Sequence, residues 1–364
     1  MLFCLLYSFI VDGIKIISPT IPDSVLIMIP IFVLKKYLLY LNIVLLFLLY
    51  MPLGVKGQDP HFTQFYATPQ LINPAYAGVF NGSFRIGTTY RQQWSSLGAP
   101  FNSMAVALDG KVLNDGVYHQ NPFNLGLVVQ SDKTLKGSLS SNNLSGIAAY
   151  HVPLNREGTQ SIGIGLSAMY GQRNFNFTNL VAASQFASGG FDLSIPSGEV
   201  TFEKMKPYLS LGAGILYCNT NEEEGSFFEI GASAYHLNRP LQSILYEGTA
   251  VIPMRVSAHA YLQRYVGDDL LLEGRLLYQI QTESDYLLGG AAITKLLESD
   301  PEGSLLGIGC WYRTGDAIAP NVFAEFKSMR IGFTYDIQIN DIRKASIPVS
   351  TLEFSLRYRF KSKW

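Results

Sequence analysis

The segment at residues 351–360, TLEFSLRYRF, alternates without a break. Leu352, Phe354, Leu356, Tyr358 and Phe360 share one register, and Glu353, Ser355, Arg357 and Arg359 share the other. Strict period-two alternation is the pattern of a β-strand with two unlike faces. Here one face is wholly apolar and the other carries three charges. Such a strand turns its apolar side either into a protein core or out into lipid, and the rest of the chain separates the two.

Composition narrows the choice. Of 364 residues, 48% are apolar and only 15% charged, below the ~25% of an average soluble domain. The formal net charge of -1 argues against a basic nucleic-acid binder, and the apolar content argues against disorder. Glycine (33), tyrosine (21) and phenylalanine (22) are abundant, which suits a membrane β-barrel, although some secreted β proteins share the trait. The three cysteines, Cys4, Cys218 and Cys310, lie far apart and form no zinc spacing or disulfide framework.

Alternation recurs throughout. Fourteen segments carry it: 83–94, 101–110, 123–131, 143–152, 160–171, 207–218, 226–237, 250–264, 269–281, 285–295, 304–314, 320–328, 329–339 and 350–360. Segments 143–152 and 285–295 alternate poorly and lean on Gly and Ala. Most runs reach the ~9–11 residues needed to cross a bilayer as a tilted strand, longer than the ~5–6 of soluble sheets. The polar registers are rich in Gly and Ser, with Arg91, Arg255, Arg275, Arg330, Arg357, Arg359, Glu273, Glu325 and Glu353 scattered among them, as in a wet lumen. An even strand number and a chain ending on an aromatic strand agree. The expected fold is an all-β, transmembrane, antiparallel up-and-down barrel of about 14 strands. The last strand should pair with the first to remove both edges. A secreted β-sandwich or propeller is the alternative, without a 40–50-residue repeat to support a propeller.

Before the strands, residues 34–57 have signal-peptide anatomy: Lys35 and Lys36, an apolar run from Leu38 to Met51, then Pro52, Gly54 and Val55-Lys56-Gly57. Cleavage is expected near Gly57–Gln58, and Met28 is a better start for such a leader than Met1. The domain reading is therefore a leader over 1–57, an N-terminal periplasmic or plug arm over 58–82 and a barrel over 83–364. The arm, QDPHFTQFYATPQLINPAYAG, is dense in aromatics and Pro. Leaving Phe62, Phe65, Tyr66 and Tyr76 in water forgoes ~1.5–3 kcal/mol each, so the arm is expected to pack inside or under the barrel or to dock a partner.

Several stretches resemble the PorP/SprF family of outer-membrane proteins, which serve type IX secretion and gliding in Bacteroidota. The resemblance lies at Gln58-Asp59-Pro60, Asn73-Pro74-Ala75, Ala77-Gly78, Arg91 with Gln93-Trp94, the run from Ala232 to Pro240, Trp311 to Arg313, Tyr335 to Ile337 and the closing EFSLRYRF. It spans nearly all of 58–364. The acidic run Glu222 to Glu224 has no family counterpart. The resemblance implies an outer-membrane barrel that handles cargo bearing a C-terminal sorting domain. It also implies other type IX components as partners, and a periplasmic peptidoglycan-binding protein among them. A passive porin or solute transporter, and a secreted β-rich adhesin, remain alternatives.

No enzymatic motif stands out. The glycine pairs in GIGLSAMYG, GAGILY and GIGCWY lack a third glycine and a following helix. The five histidines form no HExxH pair, and no GxSxG is present. No cofactor or metal is expected. The candidate lumen or partner contacts are Arg91, Trp94, His236, Asn238, Arg239, Arg313 and Asp336. The candidate arm residues are Gln58, Asp59, Pro60, Phe62, Phe65, Asn73, Pro74 and Tyr76. For His236, Asn238 and Arg239 the competing reading is turn chemistry fixed by Pro240.

Overall fold

A computed structural model describes residues 59–113, 123–134, 137–176, 180–192, 194–196, 205–221, 225–242, 250–267, 269–297, 304–340 and 350–360. The leader, Gln58, Glu222 to Glu224 and Trp364 lie outside the described residues. The strands are β1 (Phe84–Gln93), β2 (Phe101–Leu113), β3 (Phe123–Thr134), β4 (Leu139–Pro153), β5 (Gln160–Phe175), β6 (Phe186–Ala187), β7 (Gly190–Phe191), β8 (Tyr208–Asn221), β9 (Ser226–Tyr235), β10 (Arg255–Val266), β11 (Leu270–Gln281), β12 (Ser284–Leu296), β13 (Ser304–Arg313), β14 (Ala317–Phe326), β15 (Met329–Gln338) and β16 (Thr351–Phe360). All except β6 and β7 form one closed antiparallel barrel of fourteen neighbouring strands. The short β6 and β7 pair with each other inside the long 172–206 connection, where sequence predicted no strand.

Closure runs through residues 351–360. β16 pairs with β1 over ten residues, from Phe84 opposite Phe360 to Gln93 opposite Thr351. No edge is left to template aggregation. In β16, Leu352, Phe354, Tyr358 and Phe360 point outward, Leu356 is half-buried, and Glu353 and Ser355 are buried inside. β14 alternates through its whole length, with Asn321, Phe323 and Glu325 inside and Ile318, Val322 and Phe326 outside. Outward side chains such as Ile164, Leu166 and Ile308 are about 60% exposed and form a continuous apolar belt. Soluble proteins seldom expose apolar patches beyond a few hundred Å². A belt around a closed barrel of 10–16-residue strands is a lipid-facing surface.

Two departures from the sequence reading have physical causes. Residues 250–254 do not join β10. Pro253 has no N–H to give to a ladder, and the Ile252 N–H is taken by Pro240 O at 2.9 Å. Ile252, outside the strand, is buried. In β14, Pro320 leaves a gap in the pairing with β15, which skips from Ile318 to Asn321. The strand continues across it because the pairing with β13 is unbroken. Cys218 and Cys310 are both free thiols, one buried and one exposed.

One end of the barrel has short connections, such as Lys327-Ser328 between β14 and β15. The other carries the long ones after β5, β9 and β15. Barrels of this kind keep short turns in the periplasm and long loops outside, which orients the molecule. Both ends of the barrel sequence, Phe84 and Phe360, are then periplasmic.

Candidate functional site

The lumen is occupied by the chain itself. From Asp59 at the outer end, the arm descends to Gly78 at the periplasmic end and then enters β1. It is irregular, with three 3₁₀ turns at Phe65–Ala67, Pro69–Leu71 and Pro74–Tyr76. Proline starts the second and third turns, where a missing N–H costs nothing. The Asn73 side chain caps the third by accepting from the Ala75 N–H at 2.9 Å. Irregular backbone at membrane depth survives only if protein satisfies its polar groups. The inner faces of the strands do so level by level.

At the outer end, the Asp59 N–H donates to Gln281 Oε1 at 2.9 Å. Its carboxylate meets His236 Nε2 at 2.8 Å and Arg255 at 3.2 Å. Burial alone would raise the Asp59 carboxyl, but Arg255 and the His236 hydrogen bond override it and hold it well below the usual carboxylate range. Nearby His61 is pushed well below its ordinary value by burial, with Arg313 and Arg91 adding to the effect.

Below lies a four-charge cluster of Arg91, Arg313, Asp336 and Glu353. Arg91 donates to Glu353 at 2.9 Å and to Asp336 at 2.8 Å, and Arg313 donates to Asp336 at 2.6 Å. These four side chains are shut off from solvent, and Arg313 also donates to the half-buried Asp316 at 2.6 Å. Buried charges of this kind need further hydrogen bonds to offset their lost hydration. The arm supplies them. The Thr63 and Gln64 N–H groups donate to the two Glu353 oxygens at 2.8 and 2.5 Å. Thr63 Oγ1 accepts from Arg91 at 2.9 Å and from Arg313 at 3.0 Å. Gln64 Oε1 accepts from Ser355 at 2.7 Å.

The middle of the arm is held by packing and by capped carbonyls. Phe65, Tyr66 and Ile72 bury against Leu277, Leu288, Trp311 and Ala319. The Ile72 carbonyl accepts from Ser233 at 2.5 Å, the Leu71 carbonyl from Arg255 at 2.8 Å, and the Gln70 carbonyl from the Tyr235 hydroxyl. Lower down, Asn73 Nδ2 lies 3.0 Å from His259 Nε2, and His259 Nδ1 lies 2.9 Å from the Tyr76 hydroxyl. The amide can only donate, so Nε2 accepts and Nδ1 carries the proton. Tyr76 then gives its own proton to Glu229 at 2.6 Å. Two glycines make room for this turn. A Cβ on Gly165 would sit 2.2 Å from Ala75 N, and one on Gly214 would sit 2.0 Å from Asn73 Oδ1. At the exit, Asp109 takes the Gly78 N–H at 2.8 Å and pairs with Arg85.

Several sequence-chosen residues meet in this system: Arg91, Arg313, Asp336 and His236 from the barrel, and Asp59, Phe62, Phe65, Asn73, Pro74 and Tyr76 from the arm, all buried or half-buried. Pro60, half-buried, lies beside them. Trp94, Asn238 and Arg239 stand apart at the outer rim. Trp94 packs edge-on against Phe101 at 4.9 Å. Asn238 braces β8, accepting from Leu211 N at 3.0 Å and donating to Leu209 O at 2.7 Å. Arg239 is exposed. Sequence reasoning did not single out Glu353, Glu229, His259 or Asp109 as arm contacts. The first three were visible only as polar residues on strand faces otherwise read as lumen lining or unremarkable.

A closed antiparallel barrel with a lipid-facing belt and a self-filled lumen defines an outer-membrane β-barrel protein. A family model described as type IX secretion system membrane protein PorP/SprF matches residues 54–358. The chain belongs to that family, and its place is the outer membrane. Among solved structures, it is similar to the Ralstonia pickettii toluene transporter TbuX (10% identity, TM-score 0.45, 81% of this chain and 94% of that one). It is also similar to the CymD monoaromatic hydrocarbon channel (11%, 0.45, 85% and 96%) and to a Pseudomonas aeruginosa FadL homologue (10%, 0.42, 79% and 93%). No curated protein matches it.

Proposed function

We propose that this barrel acts in the translocation or surface attachment of cargo bearing a C-terminal sorting domain, in company with other type IX components. Family membership supports the setting. The observation that carries the reading is the arm in the lumen. A diffusion porin needs a continuous wet path. Here the space beside the arm near Asp59 and Arg255 comes to about 30 Å³, enough for a single water. A barrel plugged at its outer end by its own chain has no through path, so it meets cargo at its outer rim rather than through its bore. The exposed outer rim, with Arg239 and Trp94, is the surface proposed to meet cargo. A periplasmic peptidoglycan-binding protein is the proposed partner at the other end. The test is purification from native membranes with identification of what comes along. Type IX components and sorting-domain cargo are expected. Their absence from a preparation that retains the intact barrel overturns the reading.

A further inference from the structure

Beside the lower half of the arm, the lumen opens into a cavity of about 640 Å³, with Phe65, Tyr66, Pro69 and Tyr76 of the arm along one wall. Its walls include residues at the periplasmic ends of the strands, among them Thr220, Tyr265, Leu271, Leu305 and Arg359. A volume of this size falls in the range of ligand pockets. It is unlike the sealed cluster around Glu353 in one respect: among the described lining residues, cations outnumber carboxylates.

Four guanidiniums, of Arg275, Arg330, Arg357 and Arg359, share two carboxylates, of Glu273 and Glu325. Glu273 takes Arg330 at 2.9 Å and Arg275 at 3.2 Å. Glu325 takes Arg359, with Arg330 at 3.7 Å and Arg357 at 3.5 Å. The other lining charges offset each other less directly. Arg85 is matched by Asp109, and Glu229 holds the Tyr76 hydroxyl. Arg357 is thus the cation with the weakest compensation, its best carboxylate already engaged by Arg359. Among the described residues, the hydroxyl of Thr294, 1% exposed and lining the same cavity, has no hydrogen-bond partner, and neither does Arg330 Nε. A buried unmet donor beside an excess of positive charge is a demand for an acceptor-rich ligand.

The walls add aromatic faces: Tyr66, Tyr76, Phe227, Tyr261 and Tyr265. Arg275 lies 3.5 Å from the centre of the Tyr261 ring, and Arg330 lies 3.8 Å from that of Phe323. Guanidiniums stacked on rings are held flat with their edges turned to carboxylates, here to Glu273, which leaves Arg357 and Arg359 as the cations nearest to spare. The same lumen already grips a peptide, its own arm, by setting aromatic side chains among arginines and carboxylates.

We propose that this cavity is a binding site for an acidic peptide segment that enters from the periplasm, its carboxylate received by Arg357 and Arg359 and its apolar side chains by the tyrosine wall. The site is independent of whether sorting-domain cargo is attached at the outer rim.

The test uses the full barrel in detergent and a fluorescein-labelled tetrapeptide with two glutamates and two aromatic residues. The glutamate peptide should bind at least about tenfold more tightly than its glutamine analogue, and its affinity should fall as salt rises. Arg357→Gln should weaken binding by about tenfold. Glu325→Gln, which removes a competing carboxylate, should tighten it several-fold, a gain that misfolding cannot imitate. Equal binding of the two peptides, no binding at all, or indifference to both substitutions overturns the proposal. So does displacement of the peptide by equimolar inorganic phosphate, which would mark a simple anion site.

Discussion

Replacing Glu353 by Gln tests the arm where its hold is strongest. The substitution keeps the shape and one acceptor oxygen. It removes the charge and turns an NH₂ toward an N–H that Glu353 now accepts, from Thr63 or Gln64. Breaking a buried ion pair from one side costs ~3–5 kcal/mol, and the lower end applies here because Arg91 keeps Asp336 at 2.8 Å. The expected weakening is therefore about 3 kcal/mol, or roughly a hundredfold in the population of the opened arm. Hydrogen–deuterium exchange of the barrel in detergent reads that population directly at the Thr63 and Gln64 amides. Glu353→Gln should speed their exchange by about a hundredfold and leave the ladder amides of β1 and β2 protected. The neighbouring Leu352→Ala, on the lipid face, is the control and should leave the arm unchanged. Exchange at Thr63 and Gln64 within threefold of the native protein would refute the reasoning, because these two bonds would then not be what holds the arm.

Other perturbations have equally definite outcomes. Leu356→Arg, which puts a charge on the lipid side of β16, should cost ~2–4 kcal/mol and reduce the heat-modifiable outer-membrane form on gels. Ser355→Ala loses one buried hydrogen bond to Gln64, about 1 kcal/mol, and should assemble normally on the same gels. Gly165→Ala drives a Cβ into the backbone at Pro74 and Ala75, so it should loosen the arm by ~1–3 kcal/mol, seen as faster exchange at Ala75 and Tyr76 with the barrel intact. The Asp59 carboxyl is held below its unfolded value of ~3.9, so its contribution is complete above that pH and fades only as pH falls further. The loss of arm protection caused by Asp59→Asn, corrected for intrinsic rate, should therefore be the same at about pH 7 and pH 5, while His61, buried and held below its ordinary value, makes the protection of both proteins fall over that range.

The barrel was legible in the sequence because lipid and lumen impose opposite polarity on alternate residues. All fourteen barrel strands lie where alternation placed them, with end shifts of up to five residues, and closure of β16 on β1 followed from the last strand. The two poorly alternating segments became β4 and β12 for a reason the sequence could not display. Their inner faces are apolar where the arm packs: Ile147 and Ala149 bury with Ala77, and Leu288 buries with Phe65 and Tyr66. The arm's aromatics announced that it would be buried, but not where. Its anchors lie 289 or 290 residues away at Glu353, 186 at His259 and 153 at Glu229. Each is one polar residue on an inward register, like many others. Local pattern fixes which way a side chain points, whereas partners that far apart are set by barrel register and by the path of the arm. His236 shows the same limit: the turn after β9 was readable, but its bond to Asp59 was not.

The N-terminal arm closes the bore of this outer-membrane barrel. Single-channel recording in planar bilayers tests it most directly, comparing the native barrel with a variant lacking residues 59–77. The native protein should insert without stable conductance, and the arm-deleted barrel should open a steady channel. A stable open channel in the native protein, of the same conductance as the deleted form, would contradict the account.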